Sequence, residues 1–187
     1  MTLKAQSALK KIILFIQLFS IIILIPLLVW LVNHPEKPEI SITLAHVDRL
    51  NLTRPSTVDS SIHPTIRFYN PNYNTMYYED IFVLASYNGQ NISTEVQVPA
   101  FNQDYHEETN NTCAHLVGNQ QIVGNESRIQ SDLRAGKMEL SFVISGKLRW
   151  GIIISKSRVH MFTVNCVAIM PFGSSYVNGP FNCSTTL

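Results

Sequence analysis

Residues 12–32, IILFIQLFSIIILIPLLVWLV, carry no charge, and only Gln17, Ser20 and Pro26 interrupt the apolar run. A bilayer's hydrocarbon core takes about 20 apolar residues of helix to cross, and a helix satisfies its own backbone groups in lipid. A secretory signal would have a shorter apolar region, about 7–15 residues, and a small-x-small cleavage site. Val32-Asn33-His34-Pro35 offers no such site. The segment therefore reads as a retained anchor, kinked near its outer end by Pro26, with Trp30 at headgroup level. Lys4, Lys10 and Lys11 precede it without an acid, whereas NHPEKPE follows with one Lys and two Glu. Retention of positive charge keeps the N-terminus cytosolic and translocates the rest. The expected organisation is a cytosolic tail over 1–11, a signal anchor over 12–32, a stiff two-proline stalk over 33–39 and an extracellular domain over 40–187.

The translocated part, about 155 residues, is one domain of ordinary size. The whole chain carries +1, and the three tail lysines leave about −2 for that domain. No basic stripe is present, which argues against nucleic-acid binding. Asn51, Asn91, Asn110, Asn125 and Asn182 each open an N-x-S/T sequon, which suits a glycosylated surface. Cys113, Cys166 and Cys183 all follow the anchor. An oxidising compartment favours one disulfide and one leftover thiol, and spacing leaves all three pairings open. No paired Cys/His spacing points to zinc, so no metal is expected.

Beyond the stalk, period-two alternation predicts strands. ISITLAHV alternates Ile40, Ile42 and Leu44, LNLTRPSTVDSS reads as a polar loop, and PTIRFYN alternates through Ile66 and Phe68. Asn70-Pro71-Asn72 ends that strand, since Pro71 removes a ladder donor and the asparagines favour turns. Residues 80–87 place Ile81, Val83, Ala85 and Tyr87 on one face and Phe82 and Leu84 on the other. Asn88-Gly89 is a strong hairpin signal, with residues 92–98 as the partner strand. Residues 101–119 read as an outer loop or edge. Residues 125–135 are the one helix candidate outside the anchor, with Ile129 and Leu133 four apart and Gly136 to close it. Residues 137–150 form a long strand in which Gly146 suggests a bulge or bend. Residues 151–154 and 158–170 are further strands. Many strands with little helix predict an all-β fold, an antiparallel β-sandwich behind the N-terminal helix.

Catalytic constellations are missing at this level. His106-Glu107-Glu108-Thr109-Asn110 begins like HExxH but has Asn110 where the second histidine belongs. Cys113 and His115 are neighbours in a polar loop that does not promise nucleophile-base geometry. Glu79 and Asp80, as adjacent strand residues, should point to opposite faces. No Walker loop and no GxSxG is present. The expectation is no enzyme, no cofactor and no metal.

Several stretches together resemble the plant late embryogenesis abundant group 2 domain family, whose members are named after the non-race-specific disease resistance and harpin-induced proteins. They are FYNPN at 68–72, with Asn70, Pro71 and Asn72; MYYED at 76–80, with Tyr77 and Tyr78; and ASYNGQ at 85–90. PAFNQ at 99–103, NNT at 110–112, GKLRW at 146–150 with Arg149 and Trp150, and VNC at 164–166 follow in the same order. The resemblance implies a seven-stranded sandwich similar to fibronectin type III, held outside the plasma membrane. It also implies a Cys166–Cys183 disulfide that leaves Cys113 over. The Asn-Pro-Asn signature is implied as structural, a turn that ends a strand. The sequence ends SSYVNGPFNCSTTL, without the hydrophobic tail of a lipid-anchor signal, so the N-terminal helix is expected to be the anchor.

The function implied is a single-pass plasma-membrane protein of plant defence or stress response. Its extracellular sandwich would act as an interaction module toward a protein partner at the cell surface. The alternative is a membrane-proximal module for lipid or another hydrophobic ligand, motivated by apolar residues on both strand faces. A disordered desiccation protectant conflicts with the low charge and the predicted core.

Overall fold

The computed structural model describes residues 2–32, 35–52, 57–112, 114–124, 126–152, 155–179 and 181–187. It divides into two compact units, Met1–Pro35 and Glu36–Leu187. In the first, helix α1 (Thr2–Val32) runs through Pro26, and its stretch Lys10–Leu27 is long and apolar enough to cross a membrane. Helix already begins at Thr2, ahead of the apolar run.

The second unit contains β1 (Glu39–Leu52), β2 (Thr57–Tyr69), β3 (Met76–Tyr87), β4 (Gln90–Asn91), β5 (Val96–Val98), β6 (Phe101–Gln103), β7 (Glu108–Asn111) and β8 (Leu116–Gln121). Helix α2 (Glu126–Ala135) follows, then β9 (Lys137–Ile152), β10 (Ser155–Lys156), β11 (His160–Pro171), β12 (Ser175–Asn178) and β13 (Asn182–Thr186). One sheet runs β12-β1-β2-β7, with β8 also on β2. The other runs β13-β11-β9-β3-β4, with β10 on β9 and β5 and β6 on β3. The described pairings are all antiparallel.

Alternating residues of both sheets meet in one core. Ile40, Ile42, Ile62, Ile66 and Phe68 come from the first sheet and Tyr78, Ile81, Phe142, Ile144, Phe162 and Val164 from the second. Phe68 meets Tyr78 edge-on with ring centroids 5.4 Å apart. Burial pushes the Tyr78 hydroxyl far above its ordinary pKa, so it stays protonated in the core. Thirteen strand segments among the described residues, rather than seven strands, make the two sheets, because the edges are broken into short pieces.

Four further expectations change. LNLTRPSTVDSS is not a loop throughout: β1 and β2 extend into it and pair from Arg49↔Ser61 to Leu52↔Val58. Leu50, Val58 and Ser60 are buried there, so burial alternation persists where polar outer residues mask it. Residues 92–98 are not one strand: the chain leaves the ladder after β4 and returns at β5. Residues 151–154 are no separate strand, since β9 continues through Ile152, and 153–154 lie outside the described residues. Finally, the bulge near Gly146 belongs to β3, where Asp80 and Ile81 span the register shift between Glu79↔Lys147 and Phe82↔Ser145. Gly146 is glycine because a Cβ there would come within 2.8 Å of the Phe162 ring. The predicted helix is present as α2, with Ile129 buried and Leu133 exposed. The Asn88-Gly89 hairpin forms with both residues at positive φ, joining β3 to β4.

Strand β13 is fastened to β11 by a disulfide between directly opposed residues, Cys166↔Cys183. In the chain-entropy model a loop of this size stabilises by about 3 kcal/mol. A Cys166→Ser/Cys183→Ser chain should therefore melt roughly 6–12 °C lower. Thermal unfolding in micelles followed by circular dichroism checks this, and an unchanged midpoint would contradict it. Cys113 lies outside the described residues.

Candidate functional site

One end of the sandwich is organised by three buried amides. Pro71 fixes its own φ and lacks an N–H, and the Asn72 N–H turns back to Asn70 Oδ1 at 2.9 Å, closing an Asx turn. Asn70 is fully buried, and its Nδ2 donates to the carbonyls of Asn74 (2.9 Å) and Asp104 (2.8 Å), with Gln103 O at 3.4 Å. Asn72 takes the Glu36 N–H at 2.6 Å and donates to the Glu36 carbonyl at 3.0 Å. The segment expected as a stalk is therefore tied to the sandwich from Glu36 onward, where Pro38 is also buried. Gln103 donates to the Phe68 carbonyl at 2.9 Å and lies 3.1 Å from Thr109 Oγ1, holding the 104–107 loop against β2.

That scaffold displays aromatic rings. Tyr73 is 74% exposed and Tyr105 68%. His106, at positive φ, meets the Tyr73 ring edge-on at 4.9 Å and places Nδ1 3.2 Å from the Tyr69 hydroxyl. The HExxH-like start thus has its histidine engaged with tyrosines, while Glu107 caps the Asp104 N–H at 2.6 Å and Glu108 pairs with Arg67 at 2.9 Å. The Arg67 hydrogen bond holds the Glu108 carboxyl below its ordinary range.

A second surface lies on the outer face of β3 and β9. Tyr77 opposes Arg149 and Met76 opposes Trp150 in the ladder. Lys156 Nζ sits 3.7 Å above the Tyr77 ring. The β3 bulge overturns the expectation that Glu79 and Asp80 face opposite ways. Asp80 pairs with Lys147 at 2.6 Å and Glu79 with Arg149 at 3.7 Å, side by side along β9. Each carboxylate is paired with its own cation. Tyr77, Tyr78, Glu79, Ala100, Phe101 and Asn102 line an open depression of about 210 Å³. Trp150 is nearly buried and packs edge-on against His160 at 4.6 Å.

Nothing at the sequence level marked a third cluster. His46↔His63 are ladder partners, and β8 pairs with β2 as far as Ile62↔Leu116, one step short of His63 and His115. The rings form a row: Tyr176–His46 at 4.1 Å, His46–His63 at 6.2 Å and His63–His115 at 3.9 Å. Asp48, the extra residue at the β1 register shift between Val47 and Arg49, reaches His63 Nε2 at 2.9 Å and His46 Nδ1 at 3.4 Å. The Ser61 hydroxyl lies 3.2 Å from Asp48 Oδ2 and 3.0 Å from His115 Nε2. Desolvation raises the Asp48 carboxyl, but the Ser61 hydrogen bond and the charges of His63 and His46 outweigh it, and the carboxyl lies below its ordinary range. Serine, histidine and aspartate meet here in the wrong order for a nucleophile. Asp48 bonds to Ser61 itself and not to the far nitrogen of His115. One signal bears on the cluster: Leu50, Val58 and Ser60 continue the buried alternation of β1 and β2, and the longer ladder sets His46 opposite His63.

Among the sequon asparagines, Asn51, Asn91, Asn110 and Asn182 are exposed on β1, β4, β7 and β13, and Asn125 lies outside the described residues.

The chain matches the profile of a late embryogenesis abundant protein family over residues 65–166. It is 39% identical to NDR1/HIN1-like protein 26 of Arabidopsis thaliana over 92% of this chain and 86% of that protein. NDR1/HIN1-like protein 12 of the same plant is 30% identical over 81% and 74%. The solution structure of a late embryogenesis abundant protein aligns with a TM-score of 0.39 at 14% identity, covering 77% of this chain and 75% of that one. With its apolar N-terminal helix and antiparallel sheets, the chain belongs to the late embryogenesis abundant family that includes the NDR1/HIN1-like proteins.

Proposed function

We propose that this protein is a single-pass plasma-membrane component of plant defence or stress responses whose extracellular sandwich binds a protein partner. The observation that carries the reading is the pair of exposed tyrosines, Tyr73 and Tyr105, beside His106 on a loop end locked by buried Asn70 and Gln103. Tyrosine is enriched at protein interfaces because a large amphipathic ring is ordered at low entropic cost, and a rigid base lowers that cost further. The reading takes the module as a binding one, in keeping with β3 carboxylates that are each paired with a cation and with Asp48 bonded to Ser61 itself. The membrane helix supplies attachment, the lysine-rich N-terminus stays cytosolic, and exposed Asn51, Asn91, Asn110 and Asn182, with Asn125, carry glycans. The inward-facing apolar residues among those that motivated a lipid-binding reading are packed together between the sheets, while Phe82 and Leu84 on the other face of β3 are half-buried.

Deleting residues 101–119 is a poor test, since it removes β6, β7 and part of β8. Tyr73→Ala/Tyr105→Ala leaves the amide pins intact. This variant should retain the wild-type melting temperature yet lose at least tenfold in recovery of cross-linked membrane partners from plant tissue. Undiminished recovery would rule out this loop end as the contact.

A further inference from the structure

We infer that the outer face of β1 and β2 binds a divalent cation of the zinc class through Asp48, His63 and His115. One ligand atom from each lies within 4.8 Å of the others. Donors around tetrahedral zinc stand about 3.4 Å apart, given bonds of about 2.1 Å, a difference that rotation of solvent-facing side chains can close. Three of the chain's six histidines stand in this one row, His46 and His63 on the paired strands β1 and β2 and His115 just before β8. Imidazole nitrogens with one carboxylate favour zinc-like ions over calcium or magnesium, which take oxygen donors.

The surroundings are those of a positioned ligand set. The β1 bulge turns Asp48 toward His63. The Ser61 hydroxyl contacts both Asp48 and His115, and His46, stacked on Tyr176, meets the second Asp48 oxygen. Such outer partners orient metal ligands and typically contribute 10–100-fold in affinity. The neighbouring Arg49 is engaged by Asp59 at 2.9 Å, so its charge is directed away from the ligands. Because the cluster faces solvent, coordination positions beyond the three donors stay open to water or to a donor from another molecule. This inference is independent of the tyrosine-bearing loop end.

The test uses the full chain in detergent micelles, without a polyhistidine tag, titrated calorimetrically with Zn²⁺. One saturable ion per chain is expected, undisturbed by excess Mg²⁺. His63→Gln and His115→Gln should each abolish uptake, Ser61→Ala should weaken it roughly 10–100-fold, and His160→Gln should leave it unchanged. Circular dichroism verifies that the variants fold. Co²⁺ added to the wild-type chain gives a second readout, a visible absorption band of nitrogen–oxygen coordination that Zn²⁺ bleaches. No saturable uptake, no such band, or uptake that survives in a folded His63→Gln/His115→Gln chain would overturn the assignment.

Discussion

Asn70→Asp should cost the sandwich about 4 kcal/mol at neutral pH and much less in mild acid. The change is nearly isosteric, so packing is held constant and only hydrogen-bonding polarity is altered. Native Nδ2 points at the carbonyl oxygens of Asn74 and Asp104, with Gln103 O also within 3.4 Å. A carboxylate there would face oxygen with oxygen in a position that solvent does not reach. The Asn72 N–H would still be available to the other oxygen, but one donor cannot compensate a buried charge. The folded-state pKa of this carboxyl must therefore rise above its unfolded value of about 3.9. A group raised on folding binds more protons in the native state, so stability falls as pH increases, by up to about 1.4 kcal/mol per unit, until the folded pKa is passed. Below the unfolded value the acid donates one O–H in place of two N–H groups, and the penalty shrinks to about 1–2 kcal/mol. Urea midpoints of the wild-type and variant chains across this pH range measure the difference directly. A penalty that did not change with pH would mean that water reaches Asn70 and that the pin is not buried in solution.

The asparagine also shows where sequence reading stops. The apolar run, the alternation in β2, β3 and β9, the Asn88-Gly89 hairpin and α2 were all visible, because each is set by local periodicity or by backbone tolerance to positive φ. Asn70-Pro71-Asn72 was visible as a turn. That its amides reach Glu36, 36 residues earlier, and Asp104, 34 residues later, was not, because no local pattern encodes a partner that far away. Strands β12 and β13 escaped notice for a different reason: SYVN and NCSTT carry few apolar residues, and edge strands need to bury little. The bulge at Asp80 is a register event between two strands, so the Glu79-Asp80 dipeptide alone implied opposite faces where the structure sets both along β9. The histidine row was hidden by the reading of 50–61 as a loop. Once β1 and β2 are one long hairpin, His46 and His63 must be neighbours. What a single sequence withheld was pairing, and the histidine row and the side-by-side carboxylates of β3 are products of pairing.

Gly118→Ala should be at least as costly as any charge change, removing about 4 kcal/mol or preventing folding. On β8, Gly118 faces inward opposite Ser60 of β2, and the carbonyl of Ile92 descends onto this spot. An added methyl would overlap the Ile92 carbonyl oxygen and stand 2.7 Å from Ser93 Cα. Both are backbone, so no side-chain rotation relieves the clash. The segment cannot retreat cheaply either. Ser60 Oγ donates to that carbonyl at 3.0 Å, the Thr94 N–H donates to the Val117 carbonyl at 2.8 Å, and Ser93 Oγ holds the Ala85 N–H at 2.8 Å. Residues 92–94 thereby link β3 of one sheet to β8 of the other, and a glycine opposite a serine is the combination that admits a main chain between them. Displacing the segment forfeits two or three hydrogen bonds at about 1 kcal/mol each, on top of overpacking strain of about 1–3 kcal/mol. A double-mutant cycle separates this account from nonspecific crowding. If Gly118→Ala already breaks the Ser60 hydrogen bond, adding Ser60→Ala should cost about 1 kcal/mol less than it does in the wild-type chain. Strict additivity of the two urea-derived penalties would mean that the Ile92 carbonyl keeps its serine, and that the methyl is accommodated by movement of β8 instead.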